Sequence, residues 1–351
     1  MNTTDLLNIR LYNQLLMGSN MKTPREIVSW MGAMQSQNYE MGKWGIGVRL
    51  PGITNRLVEE AVNKGEILRT HILRPTWHFV VGEDIHWMLE LCASRLKSAF
   101  MGYAKMRNFD EGMVAKAIRI LPQLLDENAH LTRQEIGEHL TNRGVGIDQD
   151  LVKYVMSHAE LDGIVCNGIV RGSKQTYALL HKQAPKTFTL SKEEALERLA
   201  RKYFTSHGPA TLQDYVWWSG LSVTEAKKGL ESIKHDFICE EINGKSYWMK
   251  NDIQIPPQDT QTAFLLPAFD EFVVSYKDRS EIIEEEHYRK VMTRTGIFSP
   301  TITLNGEIVG AWKRVVKKKG IVAELEFFGK VGKRVEKLFE GQVKGYEEFN
   351  E

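Results

Sequence analysis

Apolar residues recur at helical spacing over three consecutive stretches in the middle of the chain, 110–125, 131–143 and 148–162, the second starting near Thr132. Ile164-Val165-Cys166 and Thr176-Tyr177-Ala178-Leu179 follow on either side of the turn-forming Arg171-Gly172-Ser173-Lys174, which predicts a hairpin. The same order returns at low similarity downstream. Helices are predicted over 192–206, 210–219 (opened by Thr211) and 223–234 (opened by Ser222), and strands over 237–241 and 246–249 about Asn243-Gly244. Asn-Gly between alternating runs is the strongest short hairpin signal, because both residues tolerate the positive φ of a tight turn. A first copy is read from helices over 6–16, 24–34 and 56–63 and strands over 67–73 and 76–81 across Arg74-Pro75. Its second helix has a full start signal: Thr23 as cap, Pro24 at the first helical position and Glu26 three residues after the cap. Connecting helices are expected over 83–105, where Trp87, Leu91 and Leu96 form much of an apolar stripe.

From residue 261 the period shortens. Runs at 263–266, 272–276, 301–304, 308–313 and 321–328, with Asn305-Gly306 as a turn, predict strands, closed by a helix over 331–339. The stretch 251–261, with Pro256-Pro257, reads as a linker. Three helices followed by a hairpin is the winged-helix plan. The predicted fold class is therefore α+β, with tandem winged-helix (helix-turn-helix) units followed by a small C-terminal β-rich domain. The expected divisions are 1–108, the first unit with its connecting helices; 109–186, the second; 187–252, the third; and 253–351, the β-rich domain.

Composition constrains the partner little. Across 351 residues, 46 basic side chains nearly cancel 45 acidic ones, so any case for a polyanion must be local. Residues 311–335 hold Lys313, Arg314, Lys317, Lys318, Lys319, Lys330, Lys333 and Arg334 against Glu324 and Glu326. That patch can line phosphates, or it can be a solvated strand edge kept unpaired by lysines. Cys92, Cys166 and Cys239 have no metal-ligand spacing and read as reduced interior thiols. The N-terminal stretch lacks the pattern of a secretory signal, and no run of about 18 uncharged apolar residues occurs. A cytoplasmic monomer with no membrane span is expected.

Winged helices usually bind DNA with the third helix and the wing, although they also serve as protein-interaction modules. Arg171 and Lys174 sit in the middle wing where phosphate contacts fall, while Asp148, Asp150, Glu160 and Asp162 make the preceding helix acidic. In the first wing Arg69, His71, Arg74 and His78 are DNA-contact candidates, with hairpin-stabilising burial as the equal alternative. Arg279 can join a polar network with Asp270, Tyr276 and Asp278, or form a buried Asp-Arg pair. Trp217, Trp218 and Trp312 read as core more readily than as base-stacking platforms. No phosphate-cradling glycine motif is present, so no nucleotide cofactor is expected, and no third ligand near His71 and His78 suggests a metal.

Met34-Gln35-Ser36-Gln37-Asn38 stands where the second helix should end. Side chains at i and i+2 of a helix diverge by about 200°, so Gln35 and Gln37 face one target only if the helix ends or distorts. On spacing alone they can as well be polar residues capping a helix end.

With Gln35-Ser36-Gln37, three further segments resemble the AlkZ/YcaQ-like winged-helix DNA glycosylases. They are Arg69-Thr70-His71-Ile72-Leu73-Arg74-Pro75-Thr76-Trp77-His78, Leu265-Leu266-Pro267-Ala268-Phe269-Asp270 through Tyr276-Lys277-Asp278-Arg279, and Asn305-Gly306-Glu307-Ile308-Val309-Gly310-Ala311-Trp312. The resemblance spans most of the chain. It implies excision of alkylated bases from double-stranded DNA, extending to unhooking of interstrand crosslinks, without metal or other cofactor. Gln35 and Gln37 match the family's catalytic Gln-aliphatic-Gln pattern, from which Ser36 departs. DNA contacts are expected from Arg69, His71, Arg74, His78, Arg171, Lys174, Arg279, Lys313 and Arg314. The alternative is a non-enzymatic winged-helix regulator.

Overall fold

The computed structural model describes residues 1–251, 261–318 and 320–351, so the expected linker and Lys319 lie largely or wholly outside the described residues. Residues 1–58 and 196–351 form one compact unit and 59–195 a second. Helix α1 (Thr3–Asn13) opens with an Asn2/Asp5 capping box, and α2 (Pro24–Met31) with the Thr23/Glu26 box read from the sequence. Such a cap contributes about 1 kcal/mol. Helix α2 ends three residues earlier than its periodicity suggests. Gly32 takes φ 78°, where a side chain would be strained, and a Cβ there would meet Lys202 Cβ at 3.4 Å. The chain then runs extended through β1 (Met34–Gln35) into α3 (Tyr39–Gly47).

Helix α3 had no counterpart in the sequence reading. Gly42, Gly45 and Gly47 dilute its helical signal, and it is buried on nearly every face, so no amphipathic stripe marks it. Its anchor is Trp44, whose indole N–H donates to Leu265 O at 2.6 Å and whose ring packs 5.0 Å from Tyr346 and 5.1 Å from Phe349.

The chain crosses into the second unit within α4 (Asn55–Asn63). There β2 (Ile67–Ile72) and β3 (Thr76–Val81) pair antiparallel from Ile67↔Val81 to Ile72↔Thr76, and α5 (Gly82–Met106) is one continuous helix. The three-helix stretch follows as α6 (Glu111–Glu127), α7 (Arg133–Asn142) and α8 (Gln149–Leu161), with β4 (Leu131–Thr132) ahead of α7. Strands β5 (Val165–Asn167) and β6 (Thr176–Leu179) complete a sheet ordered β4-β6-β5, ahead of the short α9 (Leu180–Gln183). Leu121, Leu124, Ile136, Leu140, Val152 and Val155 are wholly buried in this unit's core. Each such side chain contributes on the order of 1.5–3 kcal/mol.

Helix α10 (Lys192–His207) leads back into the first unit, where α11 (Leu212–Ser219) and α12 (Val223–Ile233) start on the capping boxes of Thr211 and Ser222. The hairpin β7 (Phe237–Ile242) and β8 (Lys245–Lys250) turns at Asn243 (φ 50°) and Gly244 (φ 72°). Strands β9 (Ala263–Leu266), β10 (Thr301–Leu304), β11 (Glu307–Lys317) and β12 (Gly320–Phe327) form an antiparallel sheet ordered β12-β11-β10-β9.

The strand expected over 272–276 is instead α13 (Glu271–Val274), a single turn. Asp270 caps it by accepting from Phe272 N at 2.9 Å, and all four of its residues are buried. A short apolar run has no period with which to declare itself strand or helix. The one-turn α14 (Tyr288–Val291) precedes β10, and the closing helix α15 (Lys333–Phe349) extends ten residues beyond the expected 331–339 because Tyr346 and Phe349 pack on Trp44.

Candidate active site

Because α2 stops at Met31, Gln35 and Gln37 are not on a helix. Gln35 lies in extended chain, and there residues i and i+2 share a side while i+1 faces the other way. Gln35 is 8% exposed, Ser36 is wholly buried and Gln37 is exposed. The preceding helix ends on Gly32, and the cap of the next helix is Asn38, which accepts from Met41 N at 3.2 Å.

Of two adjacent buried carboxyl groups, one holds this strand and the other holds an arginine. Glu271, 1% exposed, accepts the Gln35 backbone N–H on Oε1 at 2.6 Å. Its Oε2 accepts from Trp218 Nε1 at 3.1 Å and Ser275 Oγ at 2.5 Å, and His207 Nε2 stands 3.6 Å away. Burial pushes the His207 imidazole pKa below its usual value, against the opposing pull of Glu271. Asp270 takes the Arg49 guanidinium in two bonds of 2.8 and 2.9 Å, and Arg49 also donates to Gln14 O (2.9 Å), Gln14 Oε1 (3.0 Å) and Gly45 O (2.9 Å). Gln14 in turn donates to Tyr276 Oη at 3.0 Å, and Tyr276 donates to His207 O at 2.8 Å. Planar forked geometry is what makes a buried arginine tolerable. The buried Asp-Arg pair foreseen in the sequence thus exists, but Arg49 and not Arg279 is its cation. Glu271, His207 and Arg49 escaped sequence reasoning, and Trp218 was read only as core, because Glu271 meets Gln35 and Arg49 meets Asp270 across long stretches of chain; the signal available was the acidic pair directly after Phe269.

The DNA-contact candidates separate by burial. In the second unit His71 is buried against Glu160, with the Trp77 ring tilted at 47° to it and the centroids 4.4 Å apart. Arg69 is buried with its guanidinium 4.2 Å from the Trp77 ring centroid, and its backbone N–H donates to Asn167 Oδ1 at 2.6 Å. His78 is buried with Nδ1 2.9 Å from Thr76 O, and Arg74 is half-buried at the turn. Arg171 and Lys174 are exposed and bridge the wing, Arg171 also pairing with Glu135. In the first unit Arg279 is buried, donating to Val273 O at 2.7 Å and Lys277 O at 3.2 Å. Its guanidinium lies 5.4 Å from the Trp217 ring centroid. Lys313 is exposed and Arg314 half-exposed on β11, opposite Glu324 and Ala323 of β12, and Lys317 pairs with Glu324 at 2.9 Å.

Two expectations need correction. Trp218 and Trp312 are core, but Trp217 is 40% exposed, held by its N–H to Val274 O at 2.9 Å. Cys92 and Cys166 are buried, whereas Cys239 is exposed, because it falls on the outward face of β7. Among the described residues one trio, Glu284, Glu286 and His287, brings ligand atoms within 4.8 Å, but both glutamates are exposed, as solvated carboxylates ordinarily are. A groove of about 740 Å³ in the second unit, lined by Met101, Phe109, Val114, Ile118, Tyr154 and His158 among others, includes none of the sequence-derived site residues. No helix among the described residues is long and apolar enough to cross a membrane.

A family model described as DNA glycosylase AlkZ-like matches residues 28–349. No curated protein matches the chain. Among solved structures, the Streptomyces sahachiroi DNA glycosylase AlkZ is similar in fold, with a TM-score of 0.81 at 18% sequence identity, over 99% of this chain and 96% of that one.

Proposed function

The chain belongs to the AlkZ-like DNA glycosylase family, and with a DNA repair glycosylase as premise we propose that it hydrolyses the N-glycosidic bond of purines alkylated at N7 or N3, using Gln35 and Gln37. The observation that carries this reading is the short strand that takes Gln35 off the helix, two residues ahead of the exposed Gln37, with the Gln35 backbone N–H held by a buried carboxyl group.

The chemistry suits a pair of neutral amides. Alkylation at N7 or N3 makes the base cationic, so when the glycosidic bond breaks its electron pair neutralises the departing purine, and no acid need protonate it. A water then adds to the electron-poor sugar carbon and loses its proton to solvent. A glutamine cannot take up that proton near neutral pH, but its carbonyl oxygen accepts from the water and its NH2 orients the water or a sugar oxygen. Positioning and preorganised dipoles supply the rate. Undamaged purines, which leave only when protonated, are poor substrates on this mechanism. Crosslinked purines carry the same cationic leaving group, and their unhooking belongs to the proposal.

Three tandem winged helices over 1–108, 109–186 and 187–252 with a β-rich domain over 253–351 form the corresponding DNA-binding plan, acting as a monomer in the cytoplasm. Exposed Arg171, Lys174 and Lys313, with half-exposed Arg314, are the phosphate contacts of this proposal. Arg69, His71, Arg74, His78 and Arg279 support the elements that carry them. Family membership sets the non-enzymatic regulator aside. Duplex DNA bearing N7-methylguanine, incubated with the protein in chelator, develops alkali-labile sites on this account, and an unmodified duplex does not. Equal release from both would overturn it.

A further inference from the structure

We propose that Glu271 is a positioning residue for catalysis, setting the attack geometry of Gln35 through the backbone without touching DNA. The inference rests on the reading of Gln35 as a catalytic residue.

Glu271 lies at the first position of α13, held by the Asp270 cap, and is among the most deeply buried carboxyl groups of its unit. Burying a carboxyl group costs several kcal/mol unless its oxygens are hydrogen-bonded, so a residue kept there has a use or a compensating network. Here the oxygens divide their partners. Oε2 takes the side-chain donors Trp218 Nε1 and Ser275 Oγ, both from the surrounding core. Oε1 takes the main-chain N–H of Gln35, 236 positions away, at 2.6 Å. Acceptance on both oxygens fits a carboxylate, which has no proton of its own to place. A charge-assisted bond to a backbone N–H fixes the residue's Cα and hence the origin of its side chain, rather than competing for the amide that must hold water. Ser36 beyond it is wholly buried and cannot slide to compensate. The core clamp at Oε2 therefore sets where Oε1 lies, and Oε1 sets where Gln35 begins.

The test uses full-length protein and single-turnover release of N7-methylguanine, alongside duplex affinity and Tm. Glu271→Gln keeps the shape but offers one acceptor where two are needed, and the rate is expected to fall about 10- to 100-fold, the usual effect of an ångström-scale misplacement. Duplex Kd is expected to change less than about twofold, since the residue is buried away from solvent. In a Gln35→Ala background Glu271→Gln should cost nothing further, because a misplaced alanine loses nothing. Glu271→Ser, which removes both acceptors, serves if the amide variant fails to fold, with the same double-variant comparison. A wild-type rate for Glu271→Gln beside an inactive Gln35→Ala would overturn the inference alone, as would equal fold-losses in the presence and absence of the Gln35 side chain. An active Gln35→Ala would overturn the reading on which it stands.

Discussion

Two hairpins hold most of the basic side chains proposed to meet DNA, and they treat them oppositely. Between β2 and β3 the charges turn inward: Arg69 lies along Trp77, His71 meets Glu160, and His78 bonds the backbone at Thr76. Between β11 and β12 they turn outward, with Lys313 exposed and Lys317 spanning to Glu324 across the strands. The difference follows from what each hairpin packs against. Every residue of β2 is buried, so its polar groups must be satisfied internally. Strand β11 alternates buried Ile308, Gly310 and Trp312 with half-buried Val309 and Ala311, and its charged Glu307, Lys313 and Lys317 are exposed and reach solvent at little cost. The same residue types serve structure in one hairpin and remain available to a polyanion in the other.

Removing a buried partner should produce the larger effect. His71→Ala leaves the Glu160 carboxyl group without its imidazole and is expected to destabilise the protein by about 3 kcal/mol, read from denaturant unfolding, while leaving the salt dependence of duplex binding unchanged. A marked fall in that salt slope with little loss of stability would move β2 and β3 into the DNA-contact class. Next in size, Lys313→Ala with Arg314→Ala should weaken duplex binding about tenfold near physiological salt and lower the log–log salt slope by about 2, with stability altered by less than about 0.5 kcal/mol. An unchanged slope would return β11 to the role of a solvated edge.

The smallest effect concerns His207, whose pKa is lowered chiefly by burial. The unfolded chain then binds the proton more readily than the folded one. Stability from this group is complete above the ordinary imidazole pKa of about 6.5 and is lost as pH falls from there toward the lowered folded value. Tm should decline between about pH 7 and 5, and His207→Gln should flatten that limb. A Tm that rose on acidification through the same window would show His207 to be charged in the fold.

Most helices could be read in advance because their starts are local chemistry: Thr23 forms the box with Glu26 that its spacing suggests, and the starts read at Thr132, Thr211 and Ser222 prove to be capping boxes with Glu135, Asp214 and Glu225. The Asn-Gly turns at 243–244 and 305–306 were legible for the same reason. Helix α3 and α13 were not, since both are buried without a period. At the candidate site the glutamines were visible as a motif, and even the condition on the helix ending before them could be written down. What supports them could not, because Glu271 reaches Gln35, and Arg49 reaches Asp270, across more than 200 positions. Adjacent acids in sequence carry no mark of which one will hold a strand and which an arginine.

The measurement closest to the central claim is the single-turnover rate of N7-methylguanine release by Gln35→Ala combined with Gln37→Ala, with chelator present and duplex affinity measured in parallel. The account predicts a loss of at least about 100-fold in rate with affinity retained, because what is removed is the placement of one water beside a cationic base. Release at the wild-type rate would contradict it.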